Sequence, residues 1–300
     1  MFTTLLAVVV ALVLGHLAPA LAGSLRQYGW YQGWLRWLDG QFPQEGAWQG
    51  RFGIALALLP PLLLVALFQF ALDGRMFGFP ALLFGVAVLF YAWGPRDLDL
   101  DVRAVADAAD PVARRAAAER LWPHAAAPSL GGPDLVAQVF RNARGRWFGV
   151  LFWFLLLGPF GALLYRLTAL AAEGEASAAL PAQTAAGARG LLALLDWPVT
   201  QLLAASLALV GNFDVVVGAW REAGSDGFAL DSGFLDRLAR ASVREELADE
   251  AADYAEAGLP PPVAAAPELP ELRDAMSLVW RILLLWLAVI ALFVIGGWVN

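Results

Sequence analysis

The sequence predicts an all-α, polytopic membrane protein with four to six transmembrane helices and helical cytoplasmic segments. Three observations predict it. Of 300 residues, 60% are hydrophobic and 16% charged, whereas a soluble domain carries about 45–50% and about 25%. The apolar residues gather in blocks close to the roughly 20 that a helix needs to cross the hydrocarbon core. Tryptophan and arginine cluster at the block ends, where amphipathic rings and cations meet the headgroups.

The first block covers about 2–22. Its end, Ala18-Pro19-Ala20-Leu21-Ala22-Gly23, has the small residues of a signal-peptidase site. Met1-Phe2-Thr3-Thr4 lacks the basic start of a secretory signal, so the block reads as an uncleaved span. His16 within it reads as a packed polar residue rather than a ligand. Segment 23–51 is aromatic, with Trp30, Trp34 and Trp37 at i, i+4, i+7 on one helix face. It reads either as a helix lying on the membrane surface or as one packed on the protein's own polar part. Blocks at 52–72 and 78–93 follow, joined by the short Asp73-Gly74-Arg75-Met76 link of an antiparallel hairpin, and complete a 1–93 region. Pro60-Pro61 is tolerated there because neighbouring helices can satisfy the freed carbonyls.

Segment 94–146 is polar. Two short helices, over 102–109 and 112–122, break at Asp110-Pro111, and a third starts near Asp134. The central region 147–211 holds two apolar blocks, 147–171 and 190–211, each expected as a span; Asp196-Trp197-Pro198 leaves 190–211 open to a re-entrant or surface placement. Segment 212–277 reads as helical and polar, with an extended Pro/Ala-rich linker at Gly258–Pro270. Ser225-Asp226-Gly227 and Asp231-Ser232-Gly233 are turn signals. Region 278–300 is a last span between Trp280 and Trp298.

Arginine placement orients the chain. Segment 94–146 carries Arg96, Arg103, Arg114, Arg115, Arg120, Arg141, Arg144 and Arg146, while the 73–77 link carries Arg75 alone. A six-span arrangement places 23–51, 94–146 and 212–277 in the cytoplasm, with 172–189 and both termini outside. Arg221, Arg237, Arg240 and Arg244 in 212–277 agree with that side.

Composition also excludes chemistry. The chain has no cysteine, so disulfides, thiolate metal sites and a cysteine nucleophile are ruled out. All 20 basic residues are arginine, which removes the phosphate-loop lysine and Schiff-base chemistry. Its two histidines, His16 and His124, lack metal-ligand spacing. A net charge of −7 argues against nucleic acid as a partner. No catalytic residue, metal or cofactor is assigned.

Three stretches carry a resemblance. They are Gly94-Pro95-Arg96-Asp97-Leu98-Asp99-Leu100-Asp101-Val102; Phe140-Arg141-Asn142-Ala143-Arg144-Gly145-Arg146-Trp147-Phe148 continuing through Gly158-Pro159-Phe160-Gly161 to Tyr165-Arg166; and Leu194-Leu195-Asp196-Trp197-Pro198-Val199-Thr200 leading to Gly218-Ala219-Trp220. In order and spacing they resemble the AmpE family of bacterial inner-membrane regulatory signalling modulators, related to the CobD/CbiB synthases of cobalamin assembly. The resemblance covers nearly the whole chain. It implies a link to β-lactamase induction, response to antibiotic and cell-wall recycling. Where the synthases carry acids around an asparagine, this chain reads Arg141-Asn142-Ala143-Arg144-Gly145-Arg146. Arginine can be neither a Mg²⁺ ligand nor a general base, so synthase activity is the alternative and anion binding the first reading.

The candidate ligand-binding residues are therefore Arg96, Asp97, Asp99, Asp101, Arg141, Asn142, Arg144 and Arg146, with Asp196 if its helix brings it near. They would form one pocket at the cytoplasmic surface for a membrane lipid, a nucleotide or a cell-wall-derived anion; a protein partner or a second copy of the chain is also expected. The competing reading is that the arginines orient spans and the acids cap helices.

Overall fold

The computed structural model describes residues 2–17, 23–42, 46–73, 78–94, 96–122, 128–223, 233–256 and 269–296, and the described residues form helices without a strand. His124, Arg75, Trp298, the 225–227 turn and most of the Gly258–Pro270 linker lie outside them. The chain divides into two compact units: Met1–Arg96, Gly145–Asp196 and Ile290–Asn300 form unit 1, while Asp97–Arg144 and Trp197–Val289 form unit 2. Among the described residues, three helices are long and apolar enough to cross a membrane: Gly53–Leu72, Ala182–Val210 and Pro270–Ile295.

In unit 1, α1 (Phe2–Leu17) packs along α4 (Phe79–Ala92), and α3 (Gly53–Leu72) runs the full 20 residues of its apolar block. The aromatic helix α2 (Gly29–Gln41) buries Tyr31, Leu35 and Leu38 on one face. Its tryptophans flank that face: Trp34 donates to the Ala57 carbonyl at 3.0 Å and Trp30 to the Tyr91 hydroxyl at 2.6 Å, while the Trp30 and Trp37 rings stay exposed. Packing on the protein itself therefore accounts for the buried face of α2, and the tryptophan face remains available to a membrane surface.

The block at 147–171, expected as one span, is two helices. Gly158 adopts φ 67°, ψ −152°, a region only glycine enters readily, and Pro159 cannot continue the preceding ladder. α8 (Gly149–Leu157) and α9 (Pro159–Ala172) therefore fold back on one another. The two arms meet through small residues: Gly149 lies against the Tyr165 ring, and Gly161 against the Trp153 carbonyl. The turn frees backbone groups, and Gln69 of α3 meets them, donating to the Leu157 carbonyl (3.3 Å) and accepting from the Phe160 amide (3.1 Å). A polar residue near the end of an apolar helix thus has a defined task.

The short α10 (Glu175–Ala178) leads into α11 (Ala182–Val210), whose Thr184 donates to the carbonyls of Trp48 and Gly50. One turn on, Gly187 gives room to the Arg51 carbonyl, so α11 seats on the turn before α3 through small residues. At the C-terminus of α4, the last carbonyls have no intrahelical donors. Arg26 donates to Phe90 O at 2.9 Å, Tyr28 to Tyr91 O at 2.6 Å and Arg166 to Ala92 O at 2.7 Å. The two guanidinium groups also suit the negative end of the helix dipole.

Burial holds the Tyr28 phenol at a pKa of about 12, with Arg166 and Arg26 opposing the shift. The neutral phenol is the form the fold favours, so its contribution is complete below pH 10 and is lost as pH rises from 10 towards about 12. Tyr28→Phe is expected to be about 1 kcal/mol less stable than the parent at pH 8, with a deficit that shrinks above pH 10. Thermal unfolding in detergent across that range measures it; a deficit that does not change with pH refutes the assignment.

In unit 2, Asp97 caps α5 (Leu98–Ala106) and Asp110 caps α6 (Pro111–Ala118). The Asp97–Asp101 stretch is therefore a cap and first turn rather than an extended loop. α7 (Gly132–Ala143) repeats Leu135, Val136, Val139, Phe140 and Ala143 on its buried face and packs along α13 (Gly233–Glu256), whose Phe234, Leu235, Leu238 and Ala239 answer it. α12 (Phe213–Ala223) packs on α13, with the Trp220 and Phe234 rings edge to face. α14 (Pro270–Ile295) joins this unit through Trp286, which donates to Ser206, and through the Arg281–Glu246 ion pair.

Candidate functional site

The residues chosen from sequence divide between the two units. Arg96, Arg146 and Asp196 belong to unit 1, and Asp97, Asp99, Asp101, Arg141, Asn142 and Arg144 to unit 2. In unit 2 most have structural tasks. Asp97 accepts from the Asp99 amide, and Asp99 pairs with Arg103 one turn on. Asp101 is buried in the first turn of α5. Arg141 holds Asp236 of α13 through both carboxylate oxygens. Asn142 donates to Leu121 O (3.0 Å) and Gln138 O (2.8 Å), closing the end of the α6 region against α7. Arg144 reaches the Thr200 hydroxyl at 3.4 Å.

In unit 1, Arg96 is exposed and Arg146 is buried beside Gly94, whose φ of 89° admits it. Asp196 is buried and accepts a 2.6 Å hydrogen bond from the Tyr165 hydroxyl, next to Pro198 in α11. Arg166, absent from the sequence-derived set, is buried and binds three carbonyls, those of Ala92, Gly145 and Arg146. The last two lie in the π-helical turn Arg144–Phe148, where the hydrogen-bond register is shifted. A charged residue inside an apolar run was the available signal for it.

Unit 2 holds a second arginine cluster that forms a concave site. A cavity of about 950 Å³ is bordered by α12 (Val215, Gly218, Ala219, Glu222), α13 (Arg237, Arg240, Ala241, Val243, Arg244, Leu247), the start of α7 (Pro133, Val136) and Glu271 of α14. Its size is at the upper end of small-molecule sites. Arg237, Arg240, Ala241 and Arg244 are spaced i, i+3, i+4, i+7 and share one face of α13. Val215, Gly218, Ala219 and Glu222 repeat that spacing on α12. Arg240 is fixed, donating to Pro133 O and Asp134 at 2.9 Å each. Arg237 and Arg244 form no ion pair or hydrogen bond with another described residue. Glu271 lies against Gly132 at the N-terminus of α7, where the helix dipole favours a carboxylate. The sequence showed these three arginines, but as evidence of sidedness; their i, i+3, i+7 spacing was the signal for a shared site.

Among the described residues no three His, Asp or Glu side chains gather so as to hold a metal ion. Among the described residues the fold is all-helical, with span-length apolar helices and, in unit 2, an arginine-lined groove. Comparison with protein-family models, curated proteins and solved structures finds no match.

Proposed function

We propose that this chain is a multi-pass inner-membrane protein that acts as a regulatory binding module, taking an anionic ligand in the unit 2 groove, rather than as a catalyst. The observation that carries the reading is the pair Arg237 and Arg244, unpaired among the described residues, along one wall of a concave site. Guanidinium forks bind carboxylates and phosphates through paired charge-assisted hydrogen bonds. The AmpE resemblance, with its link to β-lactamase induction and cell-wall recycling, belongs to this proposal. The anion site moves from Arg141–Arg146 to α13, because Arg141 and Asn142 are engaged in holding the unit together.

The proposed topology has four crossings: α1, α3, α4 and α14. α7 and α13 pack together, so both stand on one side of the bilayer and the crossings between them number an even count. The α8–α9 hairpin enters and returns. α11 then also stays on that side, in keeping with an apolar window that is 50% buried against 22% for α3 and 28% for α14. Both arginine-rich segments remain cytoplasmic.

The cysteine-free chain suits single-cysteine labelling. Arg115→Cys, Ala178→Cys and Asp249→Cys should react from the cytoplasmic side and Asp73→Cys from the opposite side. Outside labelling of Ala178→Cys would overturn this topology. Binding is tested by calorimetry on purified protein with inorganic diphosphate: saturable, salt-sensitive binding lost in Arg237→Ala/Arg244→Ala is expected, and equal binding by parent and variant refutes the site.

A further inference from the structure

Resting on the anion-site reading, we infer that the groove is built for an elongated dianion: two anionic groups about 10 Å apart joined by a slender uncharged segment. Arg237 and Arg244 are seven residues apart on one helix face, about 10 Å along its axis. Between them the cation is withdrawn, since Arg240 is turned onto Pro133 O and Asp134. What remains between the two free guanidinium groups is Ala241, faced across the groove by Gly218 and Ala219 of α12. A β-carbon at Gly218 would meet nothing within 4 Å, so the middle of the groove is open space. Two cationic ends and an apolar middle select against a compact anion, which would engage one end only.

The test uses full-length protein in detergent and compares probes that differ in one feature. Decanedioate is expected to bind about tenfold tighter than decanoate, which has the same chain and one carboxylate, and tighter than hexanedioate, which is too short. Arg237→Ala and Arg244→Ala should each erase that tenfold advantage. Gly218→Leu should abolish binding of decanedioate while leaving the helix intact, because leucine has the higher helix propensity and its side chain enters open space. Vesicles of phosphatidylglycerol provide the lipid arm. A free dianion as ligand predicts that they compete weakly with decanedioate, and strong competition assigns the groove to headgroups and overturns the inference. Equal binding of decanoate and decanedioate, lost in the double arginine variant, also overturns it while leaving an anion site in place. No binding of any probe, diphosphate included, removes the anion site itself.

Discussion

Arg141→Ala should lower the unfolding free energy by about 3 kcal/mol, and Asp236→Ala by roughly half as much. The two residues form one ion pair but differ in burial: the Asp236 side chain is 7% exposed and that of Arg141 44%. Removing the arginine leaves a carboxylate within the α7–α13 contact, out of reach of full hydration and beside Phe234 and Leu235. Removing the aspartate leaves a guanidinium that can turn to water. The lower end of the range for broken buried pairs applies, because the exposed side of Arg141 lets some water in. Arg141→Met/Asp236→Leu should cost less than Arg141→Ala alone, since both polar groups go together. Reversible unfolding of the four proteins in mixed micelles measures the three losses. If Asp236→Ala proves as damaging as Arg141→Ala, the burial argument is wrong. The same result separates structure from binding: Arg141→Ala should weaken the protein without removing diphosphate binding, and Arg237→Ala/Arg244→Ala should do the reverse.

The helices were legible because their signals are local. Apolar blocks gave α3 almost to the residue and the apolar part of α14, whose helix begins eight residues before its block, at Pro270; Asp-Pro at 110–111 marked the start of α6. The hairpin at 147–171 was not read because an unbroken apolar run looks the same whether it crosses or turns. Gly158-Pro159 was the clue, but its meaning depends on Gln69, a residue 89 positions away that caps the turn. The candidate site suffered from the same limit. Arginines beside a span read as ligands, yet Arg141 finds its partner 95 residues on, in a helix the sequence could not bring to it. Arg237, Arg240 and Arg244 were read for their sign alone; their spacing becomes a site only when α12 supplies the opposite wall.

Gly149→Ala should be the other severe substitution, costing about 4 kcal/mol. Gly149 of α8 stands against the Tyr165 ring of α9 so closely that a β-carbon would overlap the ring atoms. Tyr165 is wholly buried, and its hydroxyl donates to Asp196, so the ring cannot swing aside without giving up that bond. Overpacking contributes roughly 1–3 kcal/mol, and the loss of a buried hydrogen bond to a carboxylate roughly another 1–3 kcal/mol. Tyr165→Phe isolates the second part, keeping the ring and deleting the donor, and should cost about 2 kcal/mol. Tyr165→Leu gives the new methyl room, so Gly149→Ala should cost much less in that background than in the parent. Additive losses in the double variant would show that the methyl strikes something other than Tyr165. A large coupling would tie the fold-back of α8 on α9 to the one acid that α11 buries among its apolar residues, and so link the hairpin's stability to the placement of Asp196.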